Sequence, residues 1–118
     1  MIKYSEIESI FEEVGLTAVE YNIDLNTEEE IELPILVYRI LDDVPFLADG
    51  VNFFKMLDIA LALIDEELNF PMQKLVEQQL NKYGMVFEKN VNFDDVERLY
   101  SIAYSFTVME DYNGLDNS

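Results

Sequence analysis

The chain has no cysteine and no histidine among its 118 residues. Without cysteine there is no disulfide framework and no thiol chemistry. Without histidine it lacks the commonest metal ligand and general base. Basic residues are scarce: seven Lys and Arg stand against 25 Asp and Glu, a net charge of −18. Such a surface repels nucleic acid and anionic membranes and attracts basic partners. The few lysines and arginines are scattered singly, which argues against a nucleic-acid interface. The four glycines (Gly15, Gly50, Gly84, Gly114) lie far apart, so there is no Gly-rich phosphate loop. No apolar run approaches the roughly 18 residues of a membrane span, and MIKYSEIESI lacks the pattern of a signal peptide. The simplest expectation is a cytoplasmic protein without a membrane partner.

Hydrophobic residues make up 50% of the chain, enough for a core. The length fits one domain, which buries roughly 65% of its unfolded surface. We expect a single domain over 1–108 and a mobile tail over 109–118 (MEDYNGLDNS), where periodicity stops. Solubility needs a net charge of only about 2–8 in magnitude. The acidic excess is therefore either a solvated surface or a functional acidic face, and composition leaves both open.

Ile7, Ile10, Phe11 and Val14 fall at i, i+3, i+4 and i+7, which predicts a helix over Ile2–Val14. Its glutamates Glu6, Glu8, Glu12 and Glu13 face water, and Gly15 ends it. Leu16–Leu25 is ambiguous, with a short strand at Thr17–Tyr21 as one reading, and Asn22–Glu32 reads as an acidic loop. Leu33–Ile64 organises the chain, as three strands: Leu33–Leu41, Val44–Leu47 after a break at Asp42-Asp43, and Asn52–Ile64. Asp49-Gly50 is a hairpin signal, because glycine tolerates the positive φ of tight turns. In the third strand Leu57, Ile59, Leu61 and Leu63 alternate with Asp58, Ala60 and Ala62.

Asp65-Glu66-Glu67 closes that run. Asn69 is a predicted N-cap, Pro71 suits a first turn, and a second helix spans Phe70–Tyr83 with Gly84 as its stop. Met72, Leu75, Val76, Leu80 and Tyr83 form its apolar face; Gln73, Lys74, Glu77, Gln78, Asn81 and Lys82 form the other. Met85–Asn92 reads as a strand, Phe93–Arg98 as a turn, and Leu99–Val108 as the last strand, large on one face and small on the other. The fold class is α+β: a mostly antiparallel sheet with two helices, in the order α-β-β-β-α-β-β. The expected core is Leu57, Ile59, Leu61, Leu63, Ile102, Tyr104 and Phe106 under Phe11, Leu75, Val76 and Leu80.

Adjacent carboxylates occur at Asp42-Asp43, Asp65-Glu66 and Asp94-Asp95. Each pair sits at a predicted turn, where aspartate is favoured for geometry. The DGVNF segment lacks the alternating oxygen ligands of a calcium loop. No catalytic residue, cofactor or metal ligand is expected.

From Phe46 to Val108 the sequence resembles small tail proteins of phages and prophages of low-GC Gram-positive bacteria. The residues that carry the resemblance are Ala48-Asp49-Gly50, Asn52-Phe53-Phe54-Lys55, Leu80-Asn81 with Gly84, Phe87-Glu88-Lys89, and Arg98-Leu99-Tyr100 through Phe106. They match that family's A-D-G-x-N-[YF]-[YF]-K hairpin, its helix ending L-N-x-x-G, its F/Y-E-K strand and its closing [KR]-L-Y-x-I-x-Y-x-F strand. The leading helix also fits. DIALALID stands where relatives carry a more polar strand end, and NIDLNTEEEIE and NGLDNS have no counterpart. The resemblance implies a tail-terminator-like (tail completion) fold of the same element order. It further implies a homo-oligomeric ring, usually hexameric, that caps the tail tube and joins it to the head-side connector at the neck of a virion. DNA would pass through without stable binding, and subunits would assemble in the host cytoplasm.

Such a ring repels passing DNA if carboxylates line its lumen. The candidates are Glu28, Glu29 and Glu30, Asp42 and Asp43, and Asp65, Glu66 and Glu67, each group also readable as a solvated loop. A second function class fits the charge as well: a small acidic mimic of DNA that inhibits a nucleic-acid-binding host protein. A mimic spaces carboxylates along one face as DNA spaces phosphates. Here they cluster at turns and on the first helix, which favours assembly. A carboxylate-based enzyme is the third option.

Overall fold

The computed structural model describes residues 2–21, 32–48 and 52–110, with the backbone alone at 42–48 and 52–55. Strands β1 (Ala18–Glu20), β2 (Ile35–Ala48), β3 (Asn52–Asp65), β4 (Glu88–Asp94) and β5 (Leu99–Met109) form one sheet in the order β1-β2-β3-β5-β4. All pairings are antiparallel except β1 with β2. Helix α1 (Ile7–Glu12) follows a 3-10 turn at Tyr4–Glu6, and helix α2 (Phe70–Lys82) links β3 to β4. The class is α+β, as the periodicity predicts, with three strands between the helices and two after.

Alternation in β3 and β5 decides which side of the sheet is covered. The register sets Leu57 against Val108, Ile59 against Phe106, Leu61 against Tyr104 and Leu63 against Ile102. All eight are buried, under Ile7, Ile10 and Phe11 of α1 and Val76 and Leu80 of α2. Leu36 and Tyr38 of β2 extend the same layer. Of the expected core, Leu75 alone is only half-buried.

The helix ends follow from local chemistry. Asn69 caps α2: its side chain accepts from the Met72 N–H at 3.2 Å, with Pro71 in the first turn. Both helices stop the same way. Gly15 and Gly84 have φ of +79° and +70°, and the next residue reaches back to the last turn, Leu16 N–H to Phe11 C=O at 3.0 Å and Met85 N–H to Leu80 C=O at 2.8 Å. A left-handed glycine lets those carbonyls find donors, while the following side chain packs on the core.

Three expectations are corrected. Asp42-Asp43 does not break the chain into two strands: β2 continues to Ala48, and the register merely shifts between Ile40 and Asp42. A bulge accommodates the extra residue and keeps the ladder. The third strand between the helices is therefore Ala18–Glu20, not Val44–Leu47. The first helix is shorter than Ile2–Val14, because no side chain caps α1 and its first turn winds as 3-10. Ile2 and Lys3 are extended instead, and Met109 N–H bonds to Ile2 C=O at 3.0 Å along the part of β5 that β4 leaves unpaired. Gln73, assigned to the wet face of α2, is buried, its amide donating to Leu68 C=O at 2.5 Å. The Asp49-Gly50 turn lies outside the described residues; β2 and β3 pair on either side of it as far as Ala48 and Asn52.

Gln79 joins the helices. It is 1% exposed, and its Nε2 donates to Ile10 C=O at 2.7 Å and to Glu13 Oε1 at 3.0 Å. The Ile10 carbonyl lies in the last turn of α1, where helices leave acceptors orphaned. Two predictions follow from this packing, both read by chemical denaturation. Leu61→Ala should destabilise by about 2–5 kcal/mol, the range for a buried leucine. Gln79→Leu conserves volume but strips the Ile10 carbonyl of its partner and should cost about 1–3 kcal/mol.

Candidate assembly surface

Carboxylates outnumber cations so heavily that other donors must serve them. Among the described residues four tyrosine phenols do so. Tyr4 donates to Glu20, Tyr38 to Glu8 at 2.5 Å, Tyr83 to Glu13, and Tyr104 to Glu77 at 2.8 Å. A phenol satisfies a lone pair without adding charge and offers its ring to the core. Burial and the facing glutamate raise the Tyr38 and Tyr104 phenols well above their ordinary range, so both remain donors. Part of the acidic excess is thus structural: Glu8, Glu13, Glu20 and Glu77 fasten helices and strands to one another.

Two lysines complete this pattern. Lys82 lies 3.0 Å from Glu13 and 5.4 Å from the Tyr83 ring centre. Lys89 lies 2.6 Å from Glu77 and 5.9 Å from the Tyr104 ring centre. The Tyr83 and Lys82 hydrogen bonds hold the Glu13 carboxyl below its usual range. At Glu77 burial pushes the other way, but the bonds from Lys89 and Tyr104 outweigh it and the carboxyl also sits low.

The proposed lumen residues meet different fates. Glu28, Glu29 and Glu30 lie outside the described residues, as do Asp49 and Gly50. Asp42 and Asp43 sit within β2 rather than in a turn. Asp65 is 8% exposed and occupied: it accepts from the Glu66 N–H at 2.8 Å and from Asn69 Nδ2 at 2.9 Å, bracing the cap of α2. Glu66 and Glu67 are exposed in the bend that follows. Asp94 is likewise engaged, accepting from the Val96 and Glu97 N–H groups at 2.9 and 3.1 Å. No group of three His, Cys, Asp or Glu that could hold a metal occurs among the described residues. No helix among them is long and apolar enough to cross a membrane.

Three surfaces remain without a covering layer among the described residues. The first is the face of the sheet opposite the helices. Its rows, read from the register, are Ile35–Ile64–Ser101–Asn92, Val37–Ala62–Ala103–Asn90 and Arg39–Ala60–Ser105–Glu88. Small residues fill its two central strands, and Asp58 there accepts from the Thr107 hydroxyl at 3.0 Å. The second is the far end of β2 and β3, where Asp42–Ala48 pairs with β3 alone; a two-stranded ribbon by itself is marginally stable in water. The third is β4, exposed along its whole length at the sheet's edge. Alternation signalled the bare face in the sequence. The Asp49-Gly50 hairpin signal pointed to the pairing of β2 with β3, but nothing local signalled the roles of Gln73, Gln79 and the tyrosines, because each depends on a partner elsewhere in the chain.

No family model and no curated protein matches the sequence.

The lowered Glu77 carboxyl has a testable consequence. Its folded pKa lies below the unfolded value of 4.5, so its stabilising effect is complete above that pH and is lost as pH falls through the folded pKa. Glu77→Gln should therefore destabilise at neutral pH by about 1 kcal/mol or less, as expected of a partly exposed pair. The difference from wild type should close on acidification below 4.5, measured by urea titrations across pH.

Proposed function

We propose that this chain is a structural assembly protein of a phage, prophage or phage-tail-like particle. In this reading it is a tail-terminator-like subunit that closes into a ring at the head–tail neck. The observation that carries the reading is the order of elements. The resemblance implies helix, three strands, helix and two strands; the chain has three strands between its helices and two after, with Ala18–Glu20 in place of the separate Val44–Leu47 strand expected. The activity is geometric rather than catalytic. A rigid wedge of sheet and helices offers unlike edges, β1 and β2 on one side and β4 on the other. Unlike edges favour head-to-tail contacts, which close into a ring when the rotation allows. The neighbours are the tail tube and the head-side connector, and DNA passes through without being held.

The exposed bend at Glu66-Glu67 and the Glu28–Glu30 segment are the lumen candidates that this reading retains; Asp65 is spent on the helix cap. Like charges crowded into a ring repel one another, so assembly is favoured by salt, which screens over about 8–10 Å at physiological strength, or by docking onto a tube. Reconstruction of purified particles should find one ring of this chain at the neck with Glu66 and Glu67 toward the axis. The same loops on the outer wall would remove the lumen assignment alone. Particles without the chain, together with tight binding to a host nuclease or polymerase, would replace the reading by that of a DNA mimic.

A further inference from the structure

Twice among the described residues a lysine sits between a carboxylate and an aromatic ring: Lys82 with Glu13 and Tyr83, and Lys89 with Glu77 and Tyr104. A third cluster of the same groups lies at the N-terminal end of α2. Tyr100 packs against Phe93 with ring centres 4.7 Å apart and the rings tilted at 51°, and it lines one shallow depression with Glu66, Glu67, Phe70 and Pro71. Phe70 is 67% exposed and Phe93 43%, large values for aromatic rings. Among the described residues Glu66 and Glu67 have no side-chain partner, and no cation lies over Phe70, Phe93 or Tyr100. Lys74 and Arg98, the nearest cations in sequence, form no ion pair and meet no ring.

We infer that the Phe70–Tyr100–Phe93 patch with Glu66 and Glu67 receives a lysine or arginine side chain from a basic segment of a partner protein. The ring faces attract a cation, and the two carboxylates supply charge at the rim. The carboxylates also offset the positive end of the α2 dipole, which by itself disfavours a cation there. Charge complementarity selects the partner. A chain of net charge −18 repels its own copies and draws a basic surface. Arginine suits the site better than lysine, because its planar guanidinium stacks on a ring while it pairs with a carboxylate. Phe93 of β4 and the Glu66-Glu67 bend also belong to surfaces that the ring reading uses, so peptide binding is measured on the isolated chain, where its outcome does not depend on a ring.

The test uses the full-length chain and two labelled peptides of equal charge, one alternating Arg with Gly and one alternating Lys with Gly. Binding is measured by fluorescence anisotropy at physiological salt and mapped by amide NMR. The Arg peptide should bind more tightly than the Lys peptide and shift the resonances of Glu66, Glu67, Phe70, Phe93 and Tyr100. Phe70→Ala and Phe93→Ala change no charge and should each weaken binding about two- to fivefold, the worth of a cation–ring contact at an exposed site. Glu6→Gln with Glu12→Gln removes two charges elsewhere and should change it less. Absence of binding overturns the inference. So does binding that ignores the aromatic variants and follows total charge. Self-association that Phe70→Ala abolishes would make the occupant a second copy and overturn the choice of partner.

Discussion

A β-strand presents its side chains alternately to two faces, and β3 and β5 load those faces unequally. On one side stand Leu57, Ile59, Leu61 and Leu63 with Ile102, Tyr104, Phe106 and Val108; on the other stand Ala60 and Ala62 with Ala103 and Ser105. The heavy face must leave water, at roughly 1.5–3 kcal/mol for each large side chain. Both helices therefore lie on it. Neither helix is well made for standing alone. α1 is short, uncapped by a side chain and rich in glutamate, and α2 has two glutamines inside. Each is held by what it covers.

Charge imposes the second constraint. A chain with 25 acids cannot pair them with seven bases. Those drawn toward the interior take phenols and amide groups as donors, which cost no further charge and leave the aromatic ring for packing. The links from Tyr104 to Glu77 and from Tyr38 to Glu8 tie sheet to helix, while Gln79 ties helix to helix. A count of acidic residues therefore overstates how much of the excess is free to meet a partner. Among the described residues the exposed acids include Glu12, Glu66, Glu67, Glu88, Asp95 and Glu97, spread over α1, the bend after β3, β4 and the turn that follows it.

The light face of the sheet and the exposed strand β4 follow from the same asymmetry. A sheet filled by small residues can be approached closely by another backbone, and an edge strand offers unpaired main-chain groups. Both features suit a protein whose work is contact.

The sequence alone determined the class of the fold and most of its core. Period two in Leu57–Leu63 and Ile102–Val108 and period 3.6 in Ile7–Phe11 and Met72–Leu80 are statements about one chain segment at a time, and burial answers to them directly. Caps and stops at Asn69, Gly15 and Gly84 were legible for the same reason, since their geometry is local. Tertiary structure decided the rest. Asp42-Asp43 resembles a turn until β3 lies alongside and the ladder carries it through a bulge. Gln73 looks like a solvent-facing residue until Leu68 C=O comes within reach, and Gln79 has no legible partner until Ile10 C=O does. Asp65 looks like one of three free acids until Asn69 turns toward it. A polar side chain belongs inside only where a distant partner completes its hydrogen bond, and that partner is supplied by the packing of the whole chain.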